Sequence, residues 1–247
     1  TPDYDLMQDS PTQNYATLNP SEPTSQSGAT YGNANLTAKN TSQTDANVFP
    51  CTQVLTGKKY WECTAINADN GYLYFGITPI NSIDNTQVSP PWYNGNTFYY
   101  NGDPDASNAV RNFGATATCN FGGITDGDVI SFAYDADTKQ VIIKKNGDEA
   151  TASTFTLDTT DPELTPMIVT TVGYEGAINL GQQPFLYTPP EGFTNLQTQT
   201  QPTLTVTEGF NGFRAVEAPG AGILPVGQGK VNGANGATGF TSGLYWI

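Results

Sequence analysis

Residues 127 to 147, Gly-Asp-Val-Ile-Ser-Phe-Ala-Tyr-Asp-Ala-Asp-Thr-Lys-Gln-Val-Ile-Ile-Lys-Lys-Asn-Gly, constrain the fold more than any other stretch because they spell out a complete β-hairpin. Ile130, Phe132 and Tyr134 alternate with Ser131 and Ala133, the period of two that places one set on a core and the other outside. Asp135-Ala136-Asp137-Thr138 is a polar turn in which aspartate side chains can cap backbone N–H groups, Val141-Ile142-Ile143 returns, and Asn146-Gly147 turns the chain again. This density of turn signals predicts an all-β domain.

Composition narrows the class further. Only 13% of the 247 residues are charged, and no stretch carries an apolar stripe at helical spacing, so helix should be scarce. The length suits one β-sandwich, or a sandwich followed by part of a second module. The formal charge is −14, and between Tyr60 and Thr138 nine acids face a single base, Arg111. Nucleic acid as a partner needs a basic footprint that this pattern excludes. No apolar run is long enough to span a bilayer as a helix, so membrane insertion is not expected.

Reading along the chain, residues 1–29 are broken by Pro11, Pro20 and Pro23 and read as a wrapping arm. A β-rich body follows over 30–198. Strands are expected at Asn35 to Thr37, Asn47 to Leu55, Tyr60 to Ile66, Tyr72 to Thr78, Phe113 to Phe121, Phe155 to Leu157, Leu164 to Val172 and Ala177 to Leu180. Pro79 to Asn112 shows no clear core strand and is expected to be a long irregular loop. Beyond about Thr198 a Gln-Thr linker leads into a Gly-rich stretch, read as the opening of a second β module that is incomplete at Ile247, with both ends cut from a longer polypeptide.

The motifs occur in a recognisable order. Gly57-Lys58-Lys59-Tyr60-Trp61-Glu62 resembles the Gly-Lys-x-Tyr-x-Glu strand of SPRY domains, Tyr74-Phe75-Gly76-Ile77 resembles their x-x-Gly-Ile/Val strand, and Gly127-Asp128-Val129-Ile130 with Asp135 resembles their Gly-Asp-Val-Ile-x-x-x-x-Asp. Asn146-Gly147 and Leu164-Thr165-Pro166 fit the later part of the same pattern, so the resemblance spans roughly residues 30 to 193. The arm at Asp9 to Pro20 and the closing segments Asn179 to Phe185 and Pro189 to Phe193 resemble the versions found in phage tail and fibre-like proteins. The resemblance implies a SPRY-like β-sandwich of two antiparallel sheets, concanavalin-like or jelly-roll-like in build, and a binding role without catalysis. Pro79 to Asn112 is longer than the family usually carries there.

Trp92, Tyr93, Phe98, Tyr99 and Tyr100 are five of the chain's 28 aromatic residues, and Asn94, Asn96 and Asn101 stand among them. Rings supply contact area at low entropy cost and amides supply directed hydrogen bonds, so these eight residues are candidate ligand contacts. The alternatives are that the segment folds back as an extra strand pair and buries its rings, or that the rings meet a neighbouring subunit.

Cys51 and Cys63 lie equally far from Gly57, and a symmetric hairpin there would bring them into bridging range, but two small apolar residues on a sheet are the favoured account. Asp135 with Asp137, and Asp103 with Asp105, invite a calcium reading but lack the rest of a calcium loop and suit turn capping. Histidine is absent, which removes histidine-based triads and histidine metal sites; a glycosidase carboxylate pair remains open. No cofactor is expected. The functional expectation is a non-enzymatic virion protein of a phage, in a tail fibre or appendage, binding a host receptor or glycan and contacting other virion proteins and further copies of itself. A capsid-decorating or tail-assembly subunit is the alternative, and a polysaccharide-degrading spike a more distant one.

Overall fold

A computed structural model describes residues 15–21, 28–41, 46–68, 72–80, 97–102 and 109–197. The chain divides into two units, Thr1–Gln199 and Thr200–Ile247, and the described residues all belong to the first. The Gly-rich stretch lies outside them.

Thirteen strands follow in order: β1 Ala29–Gly32, β2 Thr37–Asn40, β3 Asn47–Pro50, β4 Lys58–Asn67, β5 Leu73–Pro79, β6 Phe98–Asn101, β7 Ala109–Asn112, β8 Ala115–Thr118, β9 Val129–Asp135, β10 Gln140–Lys145, β11 Ser153–Thr156, β12 Leu164–Thr170 and β13 Glu175–Asn179. They form two antiparallel sheets, one of seven strands in the order β1-β2-β13-β4-β9-β10-β11 and one of six in the order β3-β12-β5-β6-β7-β8. Among the described residues there is no α-helix, and a 3-10 turn spans Glu149–Thr151. The all-β reading and its two-sheet sandwich are what the structure shows.

The hairpin at 127–147 forms as its alternation requires. β9 pairs with β10 from Asp135 opposite Gln140 to Ile130 opposite Lys145, and Ile130, Phe132, Tyr134, Val141 and Ile143 all enter the core between the sheets. On its other edge β9 pairs with β4, setting Trp61 opposite Phe132 and Glu62 opposite Ser131. The Trp61 and Phe132 rings stack with centroids 5.1 Å apart and planes 2° from parallel. Phe49, Phe75, Ile77 and Ile168 fill the core from the six-stranded sheet.

Four local expectations are corrected. Pro79 to Asn112 is not strandless, because it holds β6 and β7, which pair with each other and attach to β5. Asn33, Ala34 and Asn35 all have positive φ, 48°, 54° and 63°, so the expected strand at Asn35 is a turn between β1 and β2; β1 carries no strong apolar alternation and was not anticipated. The strand expected through Leu55 stops at Pro50; the Cys51 amide still donates to the Pro166 carbonyl at 2.9 Å, but Pro166 has no N–H to return the bond. Cys51 and Cys63 form no hairpin: β3 pairs with β12 and β4 with β9 and β13, in different sheets, and both thiols are free and buried. Burial pushes both thiols up, and at Cys63 the nearby Cys51 adds to the effect.

Gly76 shows why this strand motif needs glycine. A Cβ there would sit 2.0 Å from the Phe98 carbonyl oxygen and 2.8 Å from the Tyr99 Cα, both backbone atoms of β6. Gly76→Ala should therefore push β5 and β6 apart and cost about 3 kcal/mol, measured by urea denaturation. A loss below about 0.5 kcal/mol would show that β6 does not pack on β5 in this way.

Candidate binding surface

Of the candidate contacts named from sequence, Trp92, Tyr93, Asn94 and Asn96 lie outside the described residues. Phe98, Tyr99 and Tyr100 form β6, and the expectation that they face a ligand is corrected. Their alternation sends Phe98 and Tyr100 into the inter-sheet core, both fully buried, while Tyr99 packs on the other side of the sheet with Tyr74, Met167, Val169 and Ala46. The Tyr74 and Tyr99 rings meet edge to face at 5.5 Å. Burial pushes the Tyr99 phenol up to about 12 despite the opposing Arg111. The folding-back alternative is the one realised for these three. Asn101, half-buried, ends the strand opposite Tyr74.

The acidic turn motifs are occupied structurally. The Asp135 carboxylate accepts from the Asp137 amide at 3.0 Å and lies 3.8 Å from the Lys58 ammonium. The Asp128 carboxylate accepts from the Thr125 amide at 2.8 Å, from the Asn146 side-chain amide at 2.7 Å and from Lys145 at 2.8 Å. Asn146 closes the circuit by accepting from the Val129 amide at 2.8 Å. Burial pushes the Asp128 carboxyl up, but the bonds from Lys145, Thr125 and Asn146 together outweigh it and hold the group below the ordinary carboxylate range. Asp103 and Asp105 lie outside the described residues, and among those described no three metal-ligating side chains stand together.

The open face of the seven-stranded sheet carries the most developed surface. β4 turns Tyr60, Glu62 and Thr64 outward, and β9 presents the small side chains of Ser131 and Ala133 beside them. Across this face runs a strap formed by residues 181–190. The Glu62 side chain, on a residue only 3% exposed, accepts from the Leu186 amide at 2.9 Å, the Tyr187 amide at 2.8 Å and the Tyr60 hydroxyl at 3.0 Å. Burial first, and then the charge and hydrogen bond of Glu62, raise the Tyr60 phenol well above its ordinary value. Phe185 meets the Tyr60 ring edge to face at 4.8 Å. Tyr187 sits where Gly147 leaves space, since a Cβ on that glycine would fall 2.1 Å from the ring. Asn146-Gly147 thus makes a turn at φ 52° and 68° and also seats the strap.

Two hollows flank the strap. One, of about 340 Å³, is lined by Tyr60, Ser131, Ile142, Lys144, Tyr187 and Thr188 among others. The other, of about 460 Å³, is lined by Asn33, Thr64, Ala177, Asn179, Gln183 and Phe185 among others. Leu186 contributes to both and remains 67% exposed. Lys144 is held by Glu149 at 2.5 Å, and the Asn179 amide closes the start of the strap through Gly181, Gln183 and Pro184. The face therefore offers apolar area with hydroxyls and amides and no unengaged acid–base pair among its described groups.

No protein-family model matches the sequence, and no curated protein matches it. Solved structures do. The SPRY domain of human HERC1 superposes with a TM-score of 0.51 at 15% identity, covering 63% of this chain and 94% of that one. The PSpry domain of TRIM65 gives a TM-score of 0.50 at 14% identity, covering 67% of this chain and 93% of that one. The fold is SPRY-like. At this identity the likeness is one of architecture, and the motifs that resemble the family occupy its framework: Gly76 under β6, Asp128 and Asn146 at the ends of the β9–β10 hairpin, Glu62 beneath the strap. The strap and its hollows were missed in the sequence, although the outward alternation of Tyr60, Glu62 and Thr64 opposite Trp61 and Cys63 carried the signal. A lone acid between the core residues Trp61 and Cys63 on a central strand demands donors where it is buried.

The Asp128 circuit gives a pH test. Because its carboxyl is held low in the folded state, the stability it supplies is present above the ordinary aspartate range and is lost as the pH falls through the lower folded value. Asp128→Asn should unfold more readily than the parent at neutral pH and lose less stability on acidification. Parallel pH–stability curves would show that Asp128 is not held in this way.

Proposed function

We propose that this chain is a non-catalytic recognition module of a phage virion, carried on a tail fibre or related appendage, which binds a receptor or glycan of the host surface. The observation that carries this reading is the open face of the seven-stranded sheet, where a strap pinned by a buried carboxylate stands between two hollows lined by hydroxyls, amides and apolar groups. Such a lining holds a ligand through shape and directed hydrogen bonds. The ordered acids support the same reading. Glu62 accepts three hydrogen bonds from the protein itself and Asp128 four, so neither is free for the proton transfers that a carboxylate-pair hydrolase needs.

The phage context rests on the resemblance of Asp9 to Pro20, Asn179 to Phe185 and Pro189 to Phe193 to segments that accompany such modules in tail and fibre-like proteins. Trp92, Tyr93, Asn94 and Asn96 remain candidate contacts on the strength of their composition. A tail appendage requires partners among other virion proteins and further copies of the chain.

Adsorption tests the proposal. Leu186→Asp places a charge on a 67% exposed position and should leave the melting temperature within about 2 °C of the parent, while particles carrying it adsorb to host cells at least tenfold more slowly. Antibody against the chain should label the tail or its fibres and block adsorption. Label confined to the head, with adsorption unaffected by antibody, would replace this reading with the decorating or assembly role.

A further inference from the structure

Two polar side chains stand together in the inward rows of the six-stranded sheet. On β12, Leu164, Ile168 and Thr170 share the inward row, and on the neighbouring β3 Asn47 shares the inward row with Phe49. Thr170 and Asn47 are direct cross-strand partners, and Leu73 flanks Thr170 from β5. Asn47 is 1% exposed and Thr170 fully buried. Neither the amide nitrogen nor the amide oxygen of Asn47 has a hydrogen-bond partner, and neither has the Thr170 hydroxyl.

Directly after Thr170 the chain turns from β12 into β13. The Gly173 amide donates to the Asn40 carbonyl at 2.8 Å, the Thr171 amide to the Tyr72 carbonyl at 3.1 Å and the Tyr174 amide to the Thr171 carbonyl at 3.1 Å. The three side-chain atoms of Asn47 and Thr170 are themselves out of contact with bulk water. Buried polar atoms in folded proteins are almost always paired, with protein or with ordered water, and three unpaired atoms on two adjoining residues mark a site.

The chemistry of the three atoms selects the occupant. A cation would suit the Asn47 Oδ1 and the Thr170 Oγ1 but would be repelled by the Asn47 amide hydrogens. An anion would suit the amide and reject the carbonyl oxygen. Water donates and accepts, and buried waters typically make about three hydrogen bonds to groups of this kind. We propose that Asn47 and Thr170 form a built site for an internal water molecule that bridges β3 and β12 and completes the pairing of this end of the six-stranded sheet. The site lies away from the strap face and is independent of the functional reading given above.

The test has one structural and two solution arms, all on the whole chain. A high-resolution crystal structure should show a water peak within about 2.7–3.2 Å of both the Asn47 amide and the Thr170 hydroxyl; a direct Asn47–Thr170 hydrogen bond, or no peak between them, would overturn the proposal. Thr170→Val alone should lower the melting temperature by about 3–8 °C, since it strands the water and Asn47, and the double variant Asn47→Leu with Thr170→Val should recover at least half of that loss. A rise in melting temperature for Thr170→Val alone is the signature of a dry, unpaired hydroxyl and contradicts the proposal. Melting in sodium, potassium and choline chloride should coincide; a drop confined to choline would show a cation in place of water.

Discussion

The pairing of β4 with β9 is the constraint on which the rest of the molecule depends. On its inner side Trp61 stacks on Phe132 and anchors the core that joins the two sheets. Truncating either ring would leave a large cavity, a change that typically costs about 3–5 kcal/mol. On its outer side the same register sets Tyr60 and Glu62 beside Ala133 and Ser131, small residues that leave room for a covering segment. A one-residue slip would bury Glu62 in the core and expose Trp61. Register, core and strap are consequences of one alternation.

The polar groups of the framework are spent on shape. Asp128, Asn146 and Lys145 fasten the open end of the β9–β10 hairpin, Asp135 caps its closed end, and Glu62 holds the strap. Each acid is matched to backbone or side-chain donors, which is the condition for keeping a carboxylate in a partly desolvated position. The exposed Leu186 and the hydroxyl- and amide-lined hollows are positioned by this framework, and the proposed recognition would use them. The two-sheet architecture is what this chain shares with the HERC1 and TRIM65 domains.

Most of the fold was legible because strand signals in this chain are local. Ile130, Phe132 and Tyr134 alternate cleanly, and the turns that bound them are made of Asp, Asn and Gly. The segment around β6 was misread for a physical reason. Phe98, Tyr99 and Tyr100 are consecutive aromatics, so alternation gives no polar face, and an outer face that is itself buried against other side chains makes Tyr99 as hidden as its neighbours. A run buried on both sides resembles an aromatic patch until its partners are known. The turn at Asn33 to Asn35 was misread for the opposite reason, since three successive non-glycine residues with positive φ leave no mark in composition beyond two asparagines. Glu62 stood in plain view within a strand motif, yet its partners, the amides of Leu186 and Tyr187, lie 124 and 125 residues away, and no local pattern reports a contact of that range.

Hydrogen–deuterium exchange of the parent and of Glu62→Gln tests most directly whether a single buried carboxylate holds the candidate binding surface together. In the parent, the amides of Leu186 and Tyr187 should be protected along with β4, β9 and β10. In Glu62→Gln, protection should fall at least tenfold across 184–188 while the three strands keep theirs, marking a strap released from an intact sheet. Unchanged protection of Leu186 and Tyr187 would show that the carboxylate does not hold the strap. Loss of protection throughout β4 and β9 would show that Glu62 serves the sheet itself rather than the surface laid across it.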